Sequence, residues 1–416
     1  MRRNAIIVDP YLGARDFAPA FAARGVSPVA VFSSATPLSS MDWVPEQTEA
    51  FCATHFHDRD FESLLATVRA YDPLCIVPAN EAAVELADQL VEELTPDLGN
   101  TPGTVAARRD KWQQGQALQT AGVPHLRQVC TDDPAVVADW VGTNGLQNAP
   151  LVFKPTRSAG TDSVYLVQSG EDWRPHFDRI LGAVNRMGVV NEAVLVMEFA
   201  EGPEFMVDTY SVHGQHGLVM VSVYGKHNRG NHLGIYDMGE TLAPDDPRTV
   251  ELFEYTKLVA DAVGIRNAAG HAEVIRTAAG PRLVEIAGRF SGSCMQIHQR
   301  ISTGDSQIDR TVRHYVDGDF TPFYEMPRKA RTAWLSASGS GTLVSADPME
   351  AVRELPTVRA ANLPQAGMWV ASTADVWSSI GWVILASGEQ AAIEADYARI
   401  RELEAQLDFA PERVAS

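Results

Sequence analysis

Short unbroken apolar blocks alternate with amphipathic stretches in the first hundred residues. Ala5–Val8, Pro28–Phe32 and Cys75–Pro78 have strand length, while Ala14–Arg24, Phe61–Tyr71 and Glu81–Leu94 carry helical spacing. Strand alternating with helix implies a parallel sheet covered on both faces. No G-x-G-x-x-G follows the first strand. Asp9-Pro10-Tyr11-Leu12-Gly13 stands there instead, which disfavours a dinucleotide site. The turn-rich stretch Asp97–Gly103 closes this unit.

Beyond it the pattern predicts a helix over Val105–Thr120, stopped by Gly122 and Pro124, and a second helix from Asp132-Asp133-Pro134 to about Gly145. Strands are expected at Leu151–Lys154, Ser163–Val167 and Val194–Phe199, with a helix over Asp172–Met187 between the last two. Phe205–Val212 and Leu218–Tyr224 read as a hairpin around Gly214–Gly217. A loop rich in Gly, Asn and His follows, then a helix over Pro247–Val263. From about Pro327 the chain is strand-rich and closes with a helix near Gln390–Leu407. The expected division is an N-terminal α/β unit over 1–100, a central region over 101–320 with a flap at about 150–200, and a C-terminal region over 321–416. That last region is expected to cap a site or to build a homodimer contact.

Composition narrows the partners. The 416 residues hold 34 basic and 53 acidic side chains, a formal charge of −19, which disfavours nucleic acid and anionic membranes as the main partner. Cys52, Cys75, Cys130 and Cys294 are scattered without metal-site or redox spacing, so reduced thiols in a cytoplasmic protein are expected. The apolar run after Met1-Arg2-Arg3 is too short for a signal peptide, and no apolar stretch is long enough to span a bilayer.

The densest chemistry lies in Gly270–Arg289. Two strand-like runs flank Ala278-Ala279-Gly280, which reads as a three-residue hairpin loop with Gly280 at the positive-φ position. That register sets Glu273 opposite Glu285. A loop one residue shorter or longer would send the two to opposite faces. Opposed carboxylates stand about 5 Å apart and repel by roughly 3 kcal/mol at an effective dielectric of about 20. A cation between them removes that cost, and Mg²⁺ suits such a pair with phosphate oxygens as further ligands. Arg289 continues the alternation on the face of Glu285, suited to developing phosphoryl or oxyanion charge. Incidental charges on a solvent-facing hairpin are the alternative for this segment taken alone.

Two weaker segments stand upstream. Lys154 ends a buried strand and precedes Thr156–Ser163, a small-residue loop whose N–H groups can turn towards phosphates; a plain turn has the same look. Val194–Phe199 breaks at Gly202-Pro203 and resumes as Phe205–Asp208. A strand that stops pairing exposes backbone groups able to read an adenine edge, and a carboxylate beyond the bend can hold a ribose.

In order and spacing, Arg109-Asp110-Lys111, Lys154-Pro155 with Ser158-Ala159-Gly160, Glu198-Phe199 with Gly202-Pro203-Glu204, His271-x-Glu273 and Glu285-x-x-x-Arg289 resemble the ATP-grasp superfamily. The closest likeness is to its L-amino-acid ligases and related carboxylate–amine ligases, from about Asn4 to at least Asp305. The resemblance implies an ATP-grasp fold after a pre-ATP-grasp α/β domain, and ATP-dependent amide formation through an acyl-phosphate from small-molecule carboxylate and amine substrates. It implies Lys111 and Lys154 on the ATP phosphates and Ser158 to Ser163, including Ala159 and Gly160, as a flap over them. Backbone groups of Glu198 and Ala200 around Phe199 would hold adenine, and Glu204 the ribose. Glu273 and Glu285 would ligate one or two Mg²⁺ (or Mn²⁺) ions, with Arg289 on phosphate and intermediate.

Two positions depart from the pattern. Ala287 stands where many relatives carry an Asn metal ligand, and Asp237-Met238-Gly239-Glu240 replaces a Glu-x-Gly-His segment. Glu240 is a candidate partner for a substrate ammonium, with His227, Asn228, Arg229 and His232 nearby, but a mobile-loop role is the preferred reading for any one of them. Other ATP-grasp ligations of primary metabolism, phosphotransfer without amide formation, and a catalytically silent nucleotide-binding module remain the competing readings.

Overall fold

The computed structural model describes residues 3–34, 49–58, 60–229 and 232–411; the side chains of Asn228, Arg229 and His232 lie outside the described set. The chain opens with β1 (Arg3–Val8), α1 (Phe17–Ala22), β2 (Val26–Phe32), β3 (Ala53–Phe56), α2 (Phe61–Arg69), β4 (Pro73–Pro78) and α3 (Ala83–Leu94). Its four strands form a parallel sheet in the order β3-β2-β1-β4. Side chains alternate across a strand, so Ala5 and Ile7 pack with Phe17 and Phe21, while Ile6 and Val8 pack with Leu64, Leu65 and Leu90 on the other face. The helices over both faces are thus dictated by β1 alone.

The helix expected over Val105–Thr120 is divided. A single 3₁₀ turn, Val105–Arg108, precedes α4 (Lys111–Thr120), because Asp110 turns extended and its carboxylate caps the N–H groups of Trp112 and Gln113 at 2.9 and 3.1 Å. Next come β5 (Gln128–Thr131), α5 (Pro134–Thr143), β6 (Leu151–Lys154), β7 (Tyr165–Val167), α6 (Arg174–Ile180) and β8 (Val194–Glu198), whose strands make an antiparallel sheet in the order β5-β8-β6-β7. α6 stops seven residues short of the expected Met187. Asn185 accepts from the N–H groups of Met187 and Val189 at 2.9 and 3.2 Å, and Gly182 and Gly188 take left-handed φ, so the segment folds back on itself.

The central sheet is built from β9 (Glu204–Val212), β10 (Gln215–Arg229), β11 (His232–Thr241), then after α7 (Pro247–Ala262) from β12 (Ala269–Thr277) and β13 (Gly280–Ala287). After α8 (Met295–Thr303) and α9 (Gln307–Asp317) come β14 (Lys329–Leu335), β15 (Gly341–Leu343), α10 (Asp347–Glu350), β16 (Val358–Asn362), β17 (Trp369–Val370), β18 (Gly381–Ser387), α11 (Gln390–Glu404) and β19 (Phe409–Ala410). Eight strands pair antiparallel in the order β13-β12-β9-β10-β11-β14-β18-β16, and β17-β15-β19 form a small separate sheet. The stretch expected as a Gly-, Asn- and His-rich loop is therefore mostly strand, and the β9–β10 turn needs only His213 and Gly214, both at positive φ. Phe205, Val207, Val221, Ala272 and Val274 bury one face of the sheet against Leu252, Phe253 and Val259 of α7. Alternation then presents Glu204, Met206 and Asp208 of β9 and His271 and Glu273 of β12 on the opposite face. Among the described residues no helix is long and apolar enough to cross a membrane.

Candidate active site

Glu273 does stand opposite Glu285, but not for the expected reason. Thr277 pairs with Gly280, so the loop has two residues rather than three, and an unbroken ladder from it would set Glu273 against Val284. A β-bulge intervenes: Val274 pairs with Leu283, Glu273 with Glu285, and Val284 is the extra residue. The bulge restores the shared face that the shorter turn would have lost. It also delivers the Val284 carbonyl to Lys154, whose ammonium donates to it at 3.2 Å.

Around this pair lies a cleft of about 180 Å³ between the four-stranded and eight-stranded sheets. Lys111, at the first turn of α4, reaches Glu285 at 2.6 Å and donates to the Ser158 carbonyl at 2.6 Å. Burial pulls the Lys154 pKa down to about 8, with Lys111 adding to the effect against the opposing pull of Glu285, Glu273 and Glu204. Burial raises the two carboxyls as well, and their environments then separate them. For Glu285 the charge and hydrogen bond of Lys111, with Lys154 and Arg289, prevail and bring it down to about 2. For Glu273 burial dominates; Glu285 and Glu204 add to it and outweigh Lys226, so its pKa is raised. Tyr236 donates to Glu273 at 3.2 Å. A buried carboxylate with too little positive charge nearby fits a site that takes a cation. Among the described residues no third His, Cys, Asp or Glu completes a metal cluster with the pair. A bound Mg²⁺ would draw its remaining ligands from water and phosphate oxygens.

Ser158, Ala159 and Gly160 line the cleft with Thr161 and Asp162, whereas Ser163, also expected on the phosphates, does not. Its hydroxyl bonds Asp162 at 3.1 Å, and Asp162 also accepts from Ser158 at 2.7 Å and from the Arg186 N–H at 2.9 Å, which gathers the loop around one carboxylate. Glu198, Phe199 and Ala200 line the far end of the cleft. The Glu198 N–H donates to the Arg127 carbonyl at 3.1 Å, and that of Phe199 to the Pro150 carbonyl at 3.2 Å. The Ala200 N–H enters no backbone hydrogen bond among the described residues, so it is the available donor there. Glu204 lines the cleft but is paired with Lys226 at 2.6 Å, and a ribose must share it with that lysine.

On the other side of the carboxylate pair lies a second cavity, of about 320 Å³, which Arg289 and His271 also line. Arg289 is held by Glu81 at 3.0 Å, and Glu81 also takes Arg109 at 3.2 Å. His271 donates from Nδ1 to the carboxylate of the fully buried Asp208 at 2.7 Å. Glu240 does not meet the expectation of a substrate ammonium. Its carboxylate is engaged by Arg331 and by Gln390 at 3.1 Å, and it lines neither cavity. His227 is exposed and lines neither one.

Sequence reasoning missed Lys226, Tyr236, Glu81 and the C-terminal side chains of the second cavity. A signal existed for the first two: Tyr224 and Lys226 alternate along β10, and Lys226 pairs in register with Tyr236 of β11. For Glu81 there was none, since it meets Arg289 only through the packing of the first sheet against the central one.

A cleft between a small antiparallel sheet and a large one, lined by two glutamates and two lysines, is what the resemblance to the ATP-grasp superfamily implies. Residues 147–297 match the family model described as an ATP-grasp domain. Over 417 aligned residues, 97% of this chain and 96% of the relative, the sequence is 28% identical to dapdiamide A synthase of Enterobacter agglomerans. It is 26% identical over 176 residues to the L-arginine-specific L-amino acid ligase of Bacillus subtilis, covering 42% of this chain and 41% of that one. The crystal structure of an L-amino acid ligase from Bacillus licheniformis superposes with a TM-score of 0.76 at 17% identity, over 99% of each chain. Residues 147–297 thus carry an ATP-grasp domain, and the protein is a ligase that forms a carbon–nitrogen bond with ATP.

Proposed function

We propose that the enzyme activates a small-molecule carboxylate as an acyl-phosphate and transfers the acyl group to an amine, with an amino acid as at least one of the two substrates. The observation that carries this reading is the position of Glu273 and Glu285 at the junction of two cavities. One is lined by Lys111 and Lys154, the other by Arg289. A phosphoryl group held there has a nucleotide on one side and room for an acceptor on the other.

In the first step a carboxylate oxygen in the second cavity attacks the γ-phosphorus, and the bond to ADP breaks. Lys111 and Lys154 hold the phosphates, while Ala159 and Gly160, which line both cavities, keep water from the reacting atoms. In the second step the amine nitrogen attacks the acyl carbon and inorganic phosphate leaves, with Arg289 facing the developing oxyanion. Glu273 and Glu285 would hold Mg²⁺, which supplies charge neutralisation on the phosphates. One ion fits the pair, and Ala287 offers no ligand for a second.

Glu273→Ala should abolish ADP release, by at least roughly a hundredfold given the usual weight of such electrostatic groups. Turnover near that of the parent enzyme would overturn the assignment. Release of ADP that does not depend on any amine, with a stable phosphorylated product, would point to phosphotransfer instead.

A further inference from the structure

The second cavity has walls of two chemistries. Glu81, His271 and Arg289 stand on one side of it together with the carboxylate pair. Tyr224, Met295 and Trp334 line it too; Met295 and Trp334 belong to one buried apolar cluster against which Tyr224 and Val376 pack, and the Trp334 ring lies 6.1 Å from that of Tyr224. Trp377 completes this wall, so the C-terminal region supplies three of its side chains, Trp334, Val376 and Trp377. That segment is firmly seated. Asp375 pairs with Arg186 at 2.6 Å and accepts from the Ser378 N–H at 2.8 Å, while the Trp377 indole N–H points at the Ala159 carbonyl, 3.5 Å away.

We propose that Val376 and Trp377, with Tyr224, Met295 and Trp334, form a side-chain subsite that selects an amino acid with an apolar side chain. Its charged backbone groups then face Arg289 and the glutamates. A charged side chain on this wall would lose its hydration without gaining a partner. Lys226, the cation lying over the Tyr224 ring at 4.6 Å, is already paired with Glu204. An apolar side chain gains discrimination with each methylene it buries there. This inference rests on the ligase reading and adds to it the class of side chain and the residues that choose it.

The test uses the full chain with Mg²⁺ and ATP, measuring ADP release over pairs of amino acids and identifying products by mass spectrometry. Leu, Met and Phe should exceed Asp, Glu and Lys by roughly tenfold or more in kcat/KM. Val376→Asp should lower kcat/KM for the apolar set by roughly tenfold, raise it for Lys, and leave the KM for ATP unchanged. Should that variant not fold, Val376→Phe takes its place and should shift the optimum to smaller apolar side chains. A parent enzyme that prefers charged amino acids, or folded variants that keep the parent order of substrates, would overturn the subsite while leaving the ligase standing. No ADP release with any amino acid, paired with another amino acid or with a panel of small carboxylates and amines, would overturn both.

Discussion

Lys154 illustrates how a single side chain reports its surroundings. Fully enclosed, and with Lys111 close by, it holds its proton only to about pH 8 in the free enzyme. Its folded pKa lies below its ordinary value, so the charged form is the disfavoured one. Burial therefore costs stability below about pH 8, and that cost fades as the pH rises through this value. Phosphate reverses the preference, since an anion favours the ammonium. The affinity for ATP should fall as the pH rises through about 8, and binding at pH 8 to 9 should take up a proton. Calorimetry in two buffers of different ionisation enthalpy reads that proton directly, and Lys154→Met should abolish the uptake. The lysine and its small-residue loop stood out in the sequence only as part of the whole motif order, since a plain turn has the same look. The lysine's pKa was not legible, because that depends first on burial in the folded chain and then on Lys111, forty-three positions earlier.

At the scale of elements, the β12–β13 hairpin separates what a sequence can show from what it cannot. Alternation along each strand made the facing glutamates legible, and turn chemistry marked where the chain reverses. The two-residue turn and the bulge at Val284 were hidden, because their effects on the register cancel at Glu273 and Glu285. Deleting Val284 should accordingly leave these two residues opposed in a regular ladder and remove only the carbonyl that receives Lys154. The expected outcome is a folded chain by circular dichroism with a KM for ATP raised roughly tenfold, the worth of one hydrogen bond to a charged group. A deletion that destroys metal-dependent turnover altogether would show that the bulge positions the carboxylates after all. The same limit explains the long β10 and β11. Their Gly, Asn and His content reads as loop, and only pairing with β9 and β14 makes them strands.

At the scale of the whole molecule, sheets far apart in sequence meet over one reaction site, and their contacts couple them. Gly160 sits at φ +68°, and a Cβ there would come within 2.2 Å of the Trp377 indole nitrogen. Gly160→Ala should raise the KM for ATP by at least roughly tenfold through strain and collision together, and adding Trp377→Ala should return part of the loss by removing the collision. Double-mutant effects that simply multiply would deny the coupling. The first sheet makes its own long-range contribution through Glu81, which grips Arg289 and Arg109 at once. Arg289 thus shares a counter-charge with Arg109 before any substrate arrives. A free inorganic phosphate has to displace a tethered carboxylate to win it, whereas an acyl-phosphate is carried there by the rest of its own bonds. The arrangement should discriminate against the spent leaving group, so inhibition by added inorganic phosphate is expected to be weak, and strong inhibition in initial-rate assays would deny it.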